Sequence, residues 1–427
     1  MADNWLAECA EPESCGGADF GPTDGIVNLL DFRDLAMKWL WRPPPCDEDY
    51  VVPSMPPFSS LPENTYLPDP FRFMSGSRMT TIDQWPCRRM EIAELVEEFE
   101  LGYKQETPYS ATTGDFNSTL NRLAVTVNDN GTQISFNCYI TYPSTGSAPY
   151  PAMIGCGFSS LDNVALSNMG VAVISFPSDE IGQENGGSSR GVGKFYDMYG
   201  SGHSAGALMA WAWGMDRMID AIEKTPAANI DPNRLGVTGC SRWGKGALVC
   251  GAYDERIKLT IPQESGSGGA ASWRVSDWQG SNGESVQTLC QLVTENVWMR
   301  ANFNQFCGHT NKLPFDHHEI EGLCAPRALL VIENSSMAWL GNVSTWTTGN
   351  VAHKIWEALG IPDVMGYSSV GGHNHCQFPA SQLPELTAYV QKFLVGGGVA
   401  DTNVMKCDGG IIYNESQWVN WSVPNLQ

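Results

Sequence analysis

Leu235-Gly236-Val237-Thr238-Gly239-Cys240-Ser241-Arg242-Trp243-Gly244-Lys245 is the stretch that decides the fold. An apolar run ends in glycine, a serine follows, and a second glycine comes before a helix-like run. This is the layout of a nucleophile elbow, in which a sharp strand-to-helix turn lifts a serine hydroxyl to the top of an α/β sheet. Small neighbours are needed because the backbone there is strained. The spacing is G-x-S-x-x-G rather than G-x-S-x-G. Arg242 beside the serine and Lys245 one helical turn on suggest a substrate carrying carboxylate-like oxygens. A glycine-rich turn around an ordinary serine is the bland alternative, so the remaining chain must supply catalytic partners.

A serine esterase needs a base and an acid that orients the base, in the chain order serine, acid, histidine on this fold. Leu259-Thr260-Ile261-Pro262-Gln263-Glu264 reads as a strand whose end opens into Ser265-Gly266-Ser267-Gly268-Gly269. Glu264 then stands on the same sheet edge as the elbow. Gly371-Gly372-His373-Asn374-His375-Cys376 forms a loop before a C-terminal helix, where the base is expected. Cys240 precedes Ser241 and Cys376 follows His375. If those two cysteines pair, the bridge clamps the nucleophile loop to the base loop, removing roughly 5 kcal/mol of unfolded-state entropy. It also favours His375 over His373 as the base, leaving His373 to structure the loop.

The segments 239–245, Pro262-Gln263-Glu264-Ser265-Gly266 and His375-Cys376-Gln377-Phe378-Pro379 resemble the glucuronoyl esterases. Leu67-Pro68-Asp69-Pro70-Phe71, Trp85-Pro86-Cys87-Arg88-Arg89, Gly193-Lys194-Phe195-Tyr196-Asp197 and Ala210-Trp211-Ala212-Trp213-Gly214 are similar to that family too. The likeness runs from about residue 46 to 395. It implies a carbohydrate esterase that cleaves esters between 4-O-methyl-glucuronoyl groups of xylan and lignin alcohols. By that resemblance Ser241 is the nucleophile, His375 the base, Glu264 the acid, and Arg242 an oxyanion-stabilising cation. Lys245, Gln287, Glu295 and Trp339 match uronate contacts, with Trp339 also suited to core packing. Glu333, at the end of the strand Ala328-Leu329-Leu330-Val331-Ile332, is a possible second or substitute acid. Cys46–Cys87 matches a family disulfide. Another carbohydrate esterase, such as an acetyl-xylan esterase, and a non-catalytic wall-binding protein are the competing readings.

No catalytic cofactor is needed. His317, His318, His373 and His375 lie in no H-E-x-x-H pattern and there is no CxxC pair, which argues against catalytic zinc. The chain has 427 residues, enough for one large α/β domain with a small addition. A net charge of −22 argues against nucleic acid as a partner. Thirteen cysteines point to an oxidising compartment and a secreted protein, with Cys290–Cys307 a further possible pair. No run of about 18 apolar residues is present to span a membrane. Met1-Ala2-Asp3 is no signal peptide, so one is expected to have been removed or omitted. A monomer and a bacterial source are expected.

Residues 1–43 read as a partial dockerin-like unit and 44–427 as the catalytic domain. Asp24-Gly25-Ile26-Val27-Asn28-Leu29-Leu30-Asp31 resembles half of a calcium loop opening a helix, with Asp24, Asn28 and Asp31 as ligands and a cohesin-like partner implied. Cys9–Cys15 is a candidate staple, and Pro43-Pro44-Pro45 is a stiff linker. Beyond it the sequence predicts a helix over 88–102, strands over 122–128, 132–142, 148–157 and 171–176, and a long helix over 205–224. Backbone N–H groups at Gly155-Cys156-Gly157 are candidates for an oxyanion hole. Alternating strands and helices imply a mostly parallel sheet, and with the elbow an α/β-hydrolase fold: a three-layer sandwich plus a small helical N-terminal segment.

Overall fold

The computed structural model describes residues 50–427. The dockerin-like unit, its candidate ligands Asp24, Asn28 and Asp31, and Cys9, Cys15 and Cys46 lie outside the described residues.

Ten strands form one sheet: β1 (Thr112–Asn117), β2 (Arg122–Asp129), β3 (Thr132–Thr141), β4 (Tyr150–Cys156), β5 (Ala172–Phe176), β6 (Ile230–Cys240), β7 (Ile257–Gln263), β8 (Ala328–Glu333), β9 (Met365–Ser369) and β10 (Met405–Cys407). Their order is β1-β2-β3-β5-β4-β6-β7-β8-β9-β10. The first three are antiparallel, and every pairing from β5 to β10 is parallel. Asn130 and Gly131, at φ 50° and 81°, form the two-residue turn joining β2 to β3. Such a turn matches the right-handed twist of the strands it connects. β2 and β3 alternate buried and accessible residues, as expected of a sheet with one wet face. β8 is buried throughout and β7 nearly so, because helices cover both faces there.

Four helices matter for the site: α1 (Trp85–Val96), α2 (Ala207–Lys224), α3 (Arg242–Tyr253) and α4 (Asn342–Ala358). α2 is buried from Ala207 to Ile222 and packs on α3 and β1. A helix apolar on nearly all sides belongs in a core. Trp211 and Trp213 bury their rings fully and still donate their indole N–H groups, to Gly182 O at 2.8 Å and Thr107 Oγ1 at 2.9 Å. No helix among the described residues is long and apolar enough to cross a membrane.

Two local expectations change. The first strand of the sheet is β1, in the polar stretch Thr112-Thr113-Gly114-Asp115-Phe116-Asn117, where no strand was expected. Gly114 lets it lie against α2, since a Cβ there would sit 2.2 Å from Thr225 Oγ1. The helix expected over 88–102 starts earlier, at Trp85 with Pro86 in its first turn. It then widens into a π-turn over Glu97–Leu101 that stops at Gly102, φ 80°. The strand ends of β6, β7, β8 and β9 therefore line one edge, carrying Ser241, Glu264, Glu333 and His375 at or just beyond them. The carboxyl ends of parallel strands are where open α/β sheets bind ligands.

Candidate active site

Ser241 occupies φ 60°, ψ −124°, a region nearly closed to residues other than glycine. Its N–H donates to Gln263 O at 2.9 Å and its carbonyl accepts from Lys245 N at 3.0 Å. A Cβ on Gly239 would lie 2.3 Å from Trp243 O, and one on Gly244 2.6 Å from Gln263 O. These contacts explain the extra residue in the motif. The second glycine is required where α3 meets the end of β7, and Trp243 fills the position ahead of it.

Glu264 and Cys376 share this backbone strain, at φ 44° and 61°. Glu264 is fully buried, and its Oε2 accepts from His375 Nδ1 at 2.7 Å and from the Cys376 N–H at 3.1 Å. Cys376 and Cys240 are joined with an S–S distance of 2.01 Å and Cα atoms 5.7 Å apart. The bridge ties the loop of His375 to the residue before Ser241. The imidazole remains part-exposed, and Trp339 meets it edge-on with ring centroids 4.8 Å apart.

His373 lies on the other side of the same carboxylate, Nδ1 3.9 Å from Glu264 Oε1, but its Nε2 donates to Val370 O at 2.8 Å within its own loop. Glu333 does not reach His375 in any hydrogen bond. Its Oε1 accepts from Ser265 N at 3.0 Å and Gly266 N at 3.4 Å, so it shapes the turn after Glu264. Burial, and then the neighbouring Glu264 charge, push its carboxyl up to about 8. Lys245 is buried as well and donates to Ser265 O. Burial lowers its ammonium to about 8, against the pull of Glu333 and Glu295.

Arg242 projects outward with 44% of its side chain exposed and is held by Glu184, Nη1 to Oε1 at 2.9 Å. Buried Glu184 also accepts from Trp298 Nε1 at 2.6 Å and Asn296 Nδ2 at 2.9 Å. Burial raises its carboxyl pKa despite the arginine. Glu184, Asn296 and Trp298 carry no local motif, so the sequence reading missed them. The only signal was an arginine that needed a partner. Gln287 and Glu295 are hydrogen-bonded to each other, and Gln287 N donates to Trp339 O at 3.1 Å. Gln287, Glu295 and Trp339 thus form one wall beside His375. Trp339 is 40% exposed, so it is no core residue.

The suggested oxyanion donors after β4 are corrected in part. Gly157 N donates to Phe176 O at 3.0 Å and is not free. Cys290 and Cys307 are bonded, and Cys87 is in a disulfide whose expected partner, Cys46, lies outside the described residues. Cys138, Cys156, Cys250, Cys324 and Cys407 are free, and all but Cys407 are buried. His317 and His318 are engaged with Glu100 and Pro68 O. Among the described residues, Cys240, His375 and Cys376 are the one grouping with metal-ligand spacing, and its sulfurs are consumed by the disulfide.

Fold and geometry together define an α/β-hydrolase whose site has the make-up of a serine esterase. A family model for "Glucuronyl esterase, fungi" matches residues 125–360. A 4-O-methyl-glucuronoyl methylesterase of Podospora anserina is 48% identical over 381 residues, covering 88% of this chain and 78% of that one. The glucuronoyl esterase catalytic domain of Hypocrea jecorina superposes with a TM-score of 0.82 at 46% identity, over 87% of this chain and 100% of that one. A serine-to-alanine mutant of the Sporotrichum thermophile enzyme, in complex with methyl 4-O-methyl-β-D-glucopyranuronate, gives 0.81 at 43% identity, over 90% and 100%. The chain belongs to the glucuronoyl esterases. The match to the fungal model lends no support to the bacterial source expected from the sequence.

Proposed function

We propose that the protein hydrolyses esters of 4-O-methyl-glucuronic acid on glucuronoxylan, releasing the alcohol through a serine acyl-enzyme. The observation that carries this reading is the 2.7 Å bond between Glu264 Oε2 and His375 Nδ1, in a loop bridged to the residue before Ser241. Glu264 fixes the imidazole with its proton on Nδ1, leaving Nε2 to take the Ser241 proton. The serine Oγ attacks the uronate carbonyl carbon, and His375 returns the proton to the departing alcohol oxygen. Water then attacks the acyl-enzyme by the same route and frees the acid. Arg242, positioned by Glu184, is the proposed cation for the oxyanion, a contact worth about 3 kcal/mol of barrier. Lys245, Gln287, Glu295 and Trp339 are proposed to hold the sugar, the indole face packing on the ring. A plant-wall polysaccharide as substrate places the enzyme outside the cell.

The dockerin-like reading of residues 1–43, with calcium at Asp24, Asn28 and Asp31 and a cohesin-like partner, rests on its loop-and-helix motif. Hydrolysis of methyl and benzyl glucuronate by the wild type and by Ser241→Ala tests the catalytic reading. Undiminished turnover by Ser241→Ala sinks the mechanism. A wild type that cleaves aryl acetates but no glucuronate ester favours an acetyl-xylan esterase.

A further inference from the structure

We propose that Arg190 forms a second, anion-binding subsite that takes the carboxylate of an unesterified uronate on the same polysaccharide as the ester being cleaved. The inference rests on the glucuronoyl-ester reading above and adds to it a preference for polymers that already carry free acid.

The chain has 47 acidic residues against 25 lysines and arginines, so cations near the site are readily claimed. Arg242 is held by Glu184 at 2.9 Å, and Arg300 Nη1 lies 3.3 Å from Glu98 Oε2. Arg190 is exposed, and its one hydrogen bond runs from Nη1 to Met299 O at 2.9 Å. Among the described residues no carboxylate pairs with it. The rest of its planar donor fork is left for a ligand. It also faces room for one. Two clefts of about 220 Å³ and 290 Å³ share Arg190, Arg300 and Ala301 in their walls and so adjoin. Asn304 lines the first and Asn302 and Ser201 the second, groups that suit sugar hydroxyls.

One turn links this cleft to the catalytic serine. Glu184 at its start holds Arg242, the residue after Ser241, and Arg190 near its end stands in the cleft. The turn is pinned from within, Asn185 N donating to Ser189 Oγ at 2.8 Å and that hydroxyl to Gly186 O at 2.7 Å. Gly191, φ 72°, lets it lie on the far wall, since a Cβ there would sit 2.2 Å from Ser201 O. Asn296 joins the two ends: its Nδ2 donates to Glu184 Oε2 at 2.9 Å, and the residue is part of the cleft wall. Glu295, just before it, belongs to the proposed sugar wall through Gln287. The cleft therefore adjoins the uronate wall at Asn296, and a polysaccharide seated at that wall can continue toward Arg190.

Charge identifies the occupant. A protein of net charge −22 repels an acidic polysaccharide, and an unclaimed guanidinium beside the site offsets that locally. A carboxylate matches the guanidinium fork with two parallel hydrogen bonds. Each turnover leaves such a carboxylate on the polymer, so the product of one hydrolysis becomes a ligand for the next.

The test uses glucuronoxylan with its uronates fully or half methyl-esterified, and methyl glucuronate as a small ester confined to the catalytic site. Wild type should show a higher kcat/KM per ester on the half-esterified polymer, and its progress curve on the fully esterified one should accelerate as acid forms. Arg190→Gln should lose about three- to fivefold on the half-esterified polymer, the scale of an exposed ion pair. It should lose nothing on methyl glucuronate. Arg190→Lys should keep most of the preference, and about 0.5 M salt should abolish it in wild type. Equal loss in Arg190→Gln on both polymers would mean that the cleft reads hydroxyls, and overturns the proposal. Equal loss on methyl glucuronate would make Arg190 a support for the Glu184 turn, and also overturns it. A wild type that treats the two polymers alike within twofold overturns it and leaves the esterase reading intact. A wild type inactive on every glucuronate ester overturns both.

Discussion

Two buried carboxylates stand at adjacent strand ends, and their surroundings assign them different work. Glu264 receives His375 Nδ1 and the Cys376 N–H on one oxygen. Glu333 receives the N–H groups of the turn that follows Glu264, and burial pushes it up to about 8, so it is mostly neutral at pH 7. Two like charges this close would oppose each other, and burial together with the neighbouring Glu264 charge keeps Glu333 protonated. Replacing Glu264 by Gln removes the negative charge that fixes the imidazole tautomer and steadies the imidazolium, and kcat on methyl glucuronate should fall about 10³- to 10⁴-fold with little change in KM. Glu333→Gln keeps an oxygen for Ser265 N and Gly266 N, and its kcat should stay within about threefold of wild type. A reversal of these two results would make Glu333 the working acid.

At the scale of elements, the Cys240–Cys376 bridge joins positions 136 residues apart and fastens the β6 turn to the loop beyond β9. A Cys240→Ala/Cys376→Ala double variant should lose about 2–5 kcal/mol in denaturant unfolding. It should also lose kcat, because the base loop is released with it. Unchanged kcat in the folded variant would show that the Glu264 bonds alone place His375. A second fastening is His317, whose Nδ1 faces Gly269 O and whose Nε2 faces Glu100 Oε1 at 3.0 Å. Both partners are acceptors, so the buried ring carries two protons. Burial opposes that charge, but the Glu100 carboxylate outweighs it and raises the pKa. His317→Gln takes the cation away from Glu100, which keeps the Trp273 indole N–H at 3.0 Å, and should cost about 3 kcal/mol by urea unfolding, the usual effect of halving a buried pair. The elbow, its acid and its base were legible in the sequence because glycines, strand ends and flanking cysteines are local signals. β1 was not, because Thr112–Asn117 lacks an apolar alternation and becomes a strand only against β2 and α2. Glu184 was not legible either, since its link to Arg242 spans 58 residues and exists only in the fold.

For the whole molecule, the decisive quantity is how many acids are buried in a chain of net charge −22. Burial raises Glu97, Glu319 and Asp216 to about 7 and Glu333 to about 8, and takes Glu321 well above its ordinary value. A group whose pKa is higher folded than unfolded contributes stability that is complete below its unfolded value. That contribution is lost as pH rises through the folded value. For Glu97, Glu319 and Glu333 the window opens near pH 4.5 and closes near 8, that of Asp216 opens near 3.8, Glu321 extends the loss to higher pH, and His317 adds a loss in the same direction above about 6.5. Asp316 and Asp254 work the other way. Burial opposes their charge, but Arg274 and Arg256 win and lower them, so acid below about pH 4 costs stability. The melting temperature should therefore be highest near pH 5 and decline steadily to pH 8. Calorimetric melts at unit pH steps check this, and a Tm that is flat or rises over that range refutes it. Repeating the pH 8 melt in about 0.5 M salt separates two sources of the decline. Salt should recover the share due to repulsion among surface charges, which it screens. The share from buried carboxyls should remain, because ions do not reach them.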